Sequence, residues 1–188
     1  MRVEGQGAVF LDRDGVINED RDDYVKHLGE LKIHQYAPHS IRRLNEAGLR
    51  VFVISNQQGI AKGVISEQDL REIQDEIVRR VEAAGGKISA FYYCKHLASE
   101  GCSCRKPKPG LLLKAAEEHG IDLNDSVMIG DSERDVMAGR AAGCRTVVVL
   151  SGALTNRGAD ACRPDFVAGD LSEAAQYIVD LQETTEKH

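Results

Sequence analysis

The chain has 188 residues, a 42% hydrophobic fraction and a formal net charge of −6. That length suits a single domain able to bury its own core. The acidic balance argues against a general nucleic-acid binder, which needs a basic stripe, yet leaves room for a small anionic substrate held by a local group of cations. No stretch approaches the about 18 apolar residues of a membrane span. The polar, Gly-rich start, residues 1–7, lacks a secretory apolar run. The expectation is a cytoplasmic protein with no membrane or nucleic-acid partner, acting as a monomer.

In chain order, short apolar runs recur, each followed by turn residues and a helical pattern. The runs are Ala8-Val9-Phe10-Leu11, Val51-Phe52-Val53-Ile54, Ala90-Phe91-Tyr92-Tyr93, Val127-Met128-Ile129, and residues 146–150. None alternates polar with apolar, as expected of parallel strands buried on both faces. Between them, Pro38 and Pro109 stand where a first helical turn begins. Ser66 and Asp69 form a capping-box pattern, and Leu70, Ile73, Ile77 and Val81 follow at helical spacing. Gly48 and Gly143 sit where helices stop. A last helix spans roughly residues 171–181, and residues 183–188 read as a frayed, disordered tail. The predicted class is α/β: a doubly wound, Rossmann-like, mostly parallel sheet with helices on both faces. Residues 15–35 and 94–109 lack periodicity and read as functional loops.

The polar residues concentrate where the strands end. Asp12-Arg13-Asp14-Gly15 follows the first run, Ser55-Asn56-Gln57-Gln58-Gly59 the second, and Gly130-Asp131-Ser132-Glu133-Arg134-Asp135 the fourth. In a parallel sheet these carboxyl ends share one edge, where ligands bind. Asp12, Asp14, Ser55 and Asp131 are therefore expected to converge. Clustered carboxylates repel, and a hard divalent cation such as magnesium makes them stable together. An Asp at such a junction also serves as a plain helix N-cap, and Ser132 with Asp135 matches a capping box. Capping alone is a poor account of three such junctions with a Ser-Asn among them. Arg105-Lys106-Pro107-Lys108-Pro109 adds a rigid, basic entry to a helix, suited to phosphate but by itself equally a solvated loop.

These four segments, in this order, resemble the motifs of the haloacid dehalogenase-like phosphatases. The resemblance implies Asp12 as nucleophile and Asp14 as acid, then base, with a pKa near the working pH. It implies Ser55 and Lys106 as phosphoryl ligands. It also implies magnesium on Asp12, Asp131 and the Asp14 carbonyl, and Asp135 supporting Lys106 or the metal. The spacing leaves no room for a large cap domain.

Of the five cysteines, Cys94, Cys102 and Cys104 crowd together with His96. Three thiols and an imidazole suit a closed, structural zinc site in a loop insertion at residues 94–104, and the alternative is a reduced, unligated cluster. Cys144 and Cys162 read as single thiols. With Asn56-Gln57-Gln58-Gly59-Ile60-Ala61-Lys62-Gly63 and Cys104-Arg105-Lys106-Pro107, this loop is similar to that of the heptose bisphosphate phosphatases and the related histidinol-phosphate phosphatases. That likeness implies hydrolysis of the 7-phosphate of D-glycero-D-manno-heptose 1,7-bisphosphate. It implies contacts to a small sugar bisphosphate from Arg13, Asp20, Tyr24, Asn56, Gln57, Gln58, Arg105 and Ser132. Two features depart from the pattern: a short interval from His96 to Cys102, and Ser132 where a Lys is usual. The alternatives are histidinol phosphate or a broad range of small phosphoesters as substrate, or a catalytically silent zinc-loop binding module.

Overall fold

The computed structural model describes residues 6–153 and 162–185. Six parallel strands form one sheet: β1 (Ala8–Leu11), β2 (Arg50–Asn56), β3 (Ala90–Cys94), β4 (Val127–Gly130), β5 (Arg145–Val149) and β6 (Phe166–Ala168), in the order β3-β2-β1-β4-β5-β6. Among the described residues five named helices accompany them: α1 (Ala37–Glu46), α2 (Glu67–Ala83), α3 (Gly110–His119), α4 (Glu133–Ala142) and α5 (Leu171–Thr185). The strand order reverses between β1 and β4, and a crevice outside their carboxyl ends is the expected place for a ligand.

Successive side chains of a strand point to opposite faces, so an unbroken apolar run supplies both. Val9 and Leu11 pack with Val51, Val53 and Ile129 against α1, α2 and α5, through Ile41, Ile73, Ile77 and Ile178. Ala8 and Phe10 pack with Phe52, Ile54 and Met128 against Leu112 and Ala115 of α3 and Ala138 of α4. Both faces of the central strands are covered, which is why the runs show no alternation.

The helix boundaries follow local chemistry. Ser66 and Asp69 close a capping box on α2, and Ser132 and Asp135 do the same on α4. Pro38 lies in the first turn of α1. The sheet extends beyond the sequence reading by β6, a three-residue edge strand too short for a pattern. α5 continues to Thr185, past the expected end, and takes in the first residues of the supposed tail. Residues 186–188 lie outside the described residues. Among the described residues, the β1–α1 connection carries only a loop with one 3-10 turn (Leu28–Glu30), and no helix is long and apolar enough to cross a membrane.

Candidate active site

The site is built on the carboxyl ends of β1, β2 and β4. Asp12 follows β1 directly, and its N–H donates to the Ile129 carbonyl at 2.9 Å, which locks it to β4. One Asp12 oxygen lies 2.9 Å from Lys106 Nζ. The same ammonium sits 2.6 Å from Asp135 and donates to the Ile54 carbonyl at 2.8 Å. Lys106 is only 2% exposed, so its charge is held by these oxygens rather than by water.

Asp12, Asp131 and Asp135 can each place a carboxylate oxygen within 4.8 Å of the others. Burial pushes Asp12 up to about 8, and Asp135, Asp131 and Asp14 push the same way against the opposing field of Lys106. Burial and Asp135 raise Asp131 to about 6. One lysine does not balance these carboxylates, and a divalent cation among them suits the donor set. Asp131 is held by a close backbone contact, because the Ala153 N–H donates to it at 2.7 Å. A Cβ on Gly152 or on Gly15 would stand 2.0 or 2.1 Å from an Asp131 oxygen, so both positions need glycine.

Asp14 reaches the same crevice in a different state from the one expected. Its two oxygens accept five hydrogen bonds, three from the Arg13 guanidinium, one from Asn18 and one from Gln57. Burial alone would raise its pKa, but the Arg13 charge and these donors outweigh burial and hold it below the usual carboxylate range. The expected pKa near working pH is absent in this arrangement, in which Asp14 is a firmly held anion. Two predicted substrate contacts are corrected by the same geometry. Arg13 is 1% exposed and turned onto Asp14, and Gln57, also 1% exposed, spans Asp14 and Ser55 Oγ. Neither side chain reaches the crevice, because each is used to fix Asp14.

Asn56 shows a further arrangement. Its amide nitrogen donates to the Lys106 carbonyl and its oxygen accepts from the Lys106 N–H, both at 3.1 Å. This two-point clamp ties the end of β2 to the loop that carries the lysine. The Lys106–Pro107 peptide is cis. On the other side, the loop is anchored by Cys94, His96, Cys102 and Cys104. Their ligand atoms lie 3.4 Å (Cys104–Cys94 and Cys104–Cys102), 3.6 Å (Cys94–Cys102), 3.7 Å (Cys94–His96 Nδ1) and 3.2 Å (His96 Nδ1–Cys104) apart. These separations are far beyond a disulfide length of about 2 Å. They are close to the edges of a tetrahedron with Zn–S of about 2.3 Å. Burial and the neighbouring thiols push Cys104 up to about 12, whereas for Cys102 burial is outweighed by hydrogen bonds from Cys104 and Cys94, which lower it to about 7. Lys108 braces the loop by donating to the Gly101 and Cys102 carbonyls.

The crevice, of about 260 Å³, brings together Asp12, Asp14, Ser55, Lys106 and Asp131 with Asp20, Tyr24, Asn56, Gln58, Arg105 and Ser132. Tyr24 takes a left-handed φ of 68°, a strained conformation for an aromatic residue. Its hydroxyl accepts from Gln58 at 3.0 Å and from Lys62 at 2.8 Å. Ser132 Oγ is committed to Asp135 at the start of α4. The sequence reading missed Asn18, Lys62, Arg134 and the Gly152–Ala153 pair. Lys62 stood inside the quoted Asn56-to-Gly63 stretch, whereas Asn18 and Ala153 carried no local signal.

A family model described as HAD-hydrolase-like matches residues 103–174. The chain is 42% identical over 147 residues to the D-glycero-beta-D-manno-heptose-1,7-bisphosphate 7-phosphatase of Pseudomonas aeruginosa, covering 78% of this chain and 83% of that one. It is 35% identical over 181 residues to the enzyme of the same name from Neisseria meningitidis serogroup B, covering 94% and 96%. Among solved structures, it is similar to the D,D-heptose 1,7-bisphosphate phosphatase of B. bronchiseptica complexed with magnesium and phosphate. That match has a TM-score of 0.87 and 34% identity, over 95% of this chain and 99% of the other. With these relatives and this crevice, the chain belongs to the HAD-like phosphatases, in the family of the D-glycero-beta-D-manno-heptose-1,7-bisphosphate 7-phosphatases.

Proposed function

We propose that this phosphatase works through an aspartyl-phosphate on Asp12 and removes the 7-phosphate of D-glycero-D-manno-heptose 1,7-bisphosphate. The observation that carries the chemistry is the buried Asp12–Lys106–Asp135 array beside Asp131, at the point where strand order reverses. Phosphoryl transfer needs positioning and charge neutralisation, and a fixed ammonium beside a carboxylate offers both.

In the first step an Asp12 oxygen bonds to phosphorus while the bond from phosphorus to the sugar oxygen breaks. Asp14 gives that leaving oxygen its proton, so it must first loosen its hold on Arg13 and Gln57 and take one up. In the second step Asp14 removes a proton from water, the hydroxide attacks phosphorus, and Asp12 is regenerated as phosphate departs. Ser55 and Lys106 hold the phosphoryl oxygens throughout. Asp12, Asp131 and the Asp14 carbonyl would hold magnesium, as the donor set allows. When bound, that ion supplies Lewis-acid polarisation of the phosphoryl group and screens it from the carboxylates. Cys94, His96, Cys102 and Cys104 would hold a structural zinc that steadies the loop before Lys106.

The substrate reading rests on the family's named activity and on the crevice, which Tyr24, Gln58 and Arg105 line together with the reacting carboxylates. Arg105 would take the second phosphate. The chain is read as a cytoplasmic monomer. A panel of heptose 1,7-bisphosphates, heptose 7-phosphate and histidinol phosphate, compared by kcat/KM with magnesium present, tests the reading. Highest efficiency on a heptose bisphosphate is the expected result, and a preference for histidinol phosphate would overturn it.

A further inference from the structure

Arg134 lines the crevice together with Asp12, Asp131 and Arg105, yet no reading of the motifs assigns it a part. It lies in the first turn of α4, between Glu133 and the buried Asp135. A cation there is on the wrong end of the helix. The exposed N–H groups of a first turn carry partial positive charge and favour Asp and Glu, as the two flanking residues illustrate. Among the described residues, Arg134 makes no salt bridge and no side-chain hydrogen bond. Its side chain is exposed to the crevice. A local rule is therefore broken with no ion pair or hydrogen bond to offset it among the described residues, the pattern expected where a residue waits for a ligand.

The other cations of the crevice are differently placed. Lys106 faces Asp12, Asp135 and the Ile54 carbonyl and serves the transferring group. Arg21 is engaged by Asp23 and donates to the Tyr24 carbonyl. Arg105 keeps one buried guanidinium nitrogen, Nη1, without a partner. The two arginines approach from different walls. Burial raises the Asp20 carboxyl, and the Arg134 charge is among the fields that oppose this. Tyr24, by contrast, senses Arg105. The crevice thus offers two uncommitted forked donors, one on the loop before Lys106 and one on α4. A guanidinium suits a phosphate because it can donate two parallel hydrogen bonds to it.

We propose that Arg134 is a specificity-determining residue that binds the non-transferred anionic group of the substrate, closing on it from α4 while Arg105 approaches from the opposite wall. This rests on the reading of the substrate as a sugar bisphosphate. With a bisphosphate bound, Arg134 gains a close anionic partner of the kind it lacks among the described residues, and the cation at the start of α4 is balanced. A sugar monophosphate lacking that second group leaves Arg134 as it is now.

The test compares Arg134→Gln and Arg134→Lys with the unaltered enzyme on a sugar bisphosphate and on the monophosphate bearing the same scissile ester. The unaltered enzyme alone tests the substrate reading: no preference for the bisphosphate would overturn both that reading and this one. Given a preference, Arg134→Gln is expected to lower kcat/KM on the bisphosphate about 10- to 100-fold, mainly through KM, as for loss of a hydrogen bond to a charged group. The monophosphate should change less than about twofold, Arg134→Lys should fall between, and Tm should not drop, since a misplaced cation leaves the helix start. If Arg134→Gln retains the bisphosphate preference, or loses equally on both substrates with a lowered Tm, Arg134 is not a substrate residue and the proposal fails while the substrate reading stands.

Discussion

Asn56 offers a way to separate contact with substrate from placement of Lys106 beside Asp12. Replacing it by Ala removes both hydrogen bonds of the clamp on the Lys106 backbone. Each such bond contributes about 0.5–1.5 kcal/mol net, so the loss should be about 1–3 kcal/mol. For a chain of this length that lowers Tm by about 2–4 °C per kcal/mol. The effect on chemistry should be larger than on substrate binding. Lys106 Nζ must lie close to both Asp12 and the phosphoryl oxygens, and a displacement of about 1 Å can cost roughly 100-fold in rate. Steady-state phosphate release from Asn56→Ala should therefore show a fall in kcat of about 10- to 100-fold, with KM changed little. The loss should be equal on p-nitrophenyl phosphate and on a sugar bisphosphate, because the clamp acts on the transferring group alone. Asn56→Asp keeps the acceptor for the Lys106 N–H but sets an oxygen against the Lys106 carbonyl, so it should not rescue the rate. A rise in KM confined to the sugar substrate, with kcat retained, would refute the positioning role and return Asn56 to a plain substrate contact.

Without magnesium, stability should fall as pH rises. Asp12 has its pKa raised from 3.8 to about 8 and Asp131 to about 6, so between those values the folded chain binds more protons than the unfolded one. Stability is then fully present below about 4 and is lost as pH climbs through 6 and 8. Asp14, whose pKa is lowered, acts oppositely but only at the acid end, where its ionised form must be protonated. Scanning calorimetry in magnesium-free buffer should show Tm declining across this window, and added magnesium should raise Tm more at the alkaline end; a Tm that climbs with pH would contradict the electrostatics drawn for the site. With the cysteine loop read as a zinc site, a thiol-selective chelator should lower Tm and activity together, with recovery on adding zinc and not on adding magnesium. Full activity after complete loss of zinc would show that the cysteine loop does not steady Lys106.

Most of the architecture was legible because the strands announce themselves. The runs ending at Leu11, Ile54 and Ile129 are apolar on every residue, and the charged residues appear only where each run stops. Phe166–Ala168 gave no comparable signal, being a short edge strand defined by its pairing with β5. Within the site, the residues that converge on the sheet edge were visible from their place after strands. Side-chain direction was not. Arg13 and Gln57 belong to motifs that adjoin the crevice, yet both turn inward to Asp14, and only the folded loop from Asp14 to Asn18 reveals why. The charge state of Asp14 was misjudged for the same reason: Arg13 and Asn18 of its own loop turn back onto it and Gln57 joins them from the end of β2, and the spacing of these residues does not record that meeting. Arg134 was passed over because its neighbours explain the helix start so well.

The account's centre is Asp12 as the group that bonds to phosphorus, and Asp12→Asn tests it most directly. The substitution keeps the shape and takes away the nucleophilic carboxylate, so the folded, magnesium-supplied variant should release phosphate at under about a thousandth of the original rate, since only positioning and charge neutralisation remain. Magnesium-dependent turnover that survives Asp12→Asn unchanged would contradict the aspartyl-phosphate and the mechanism built on it.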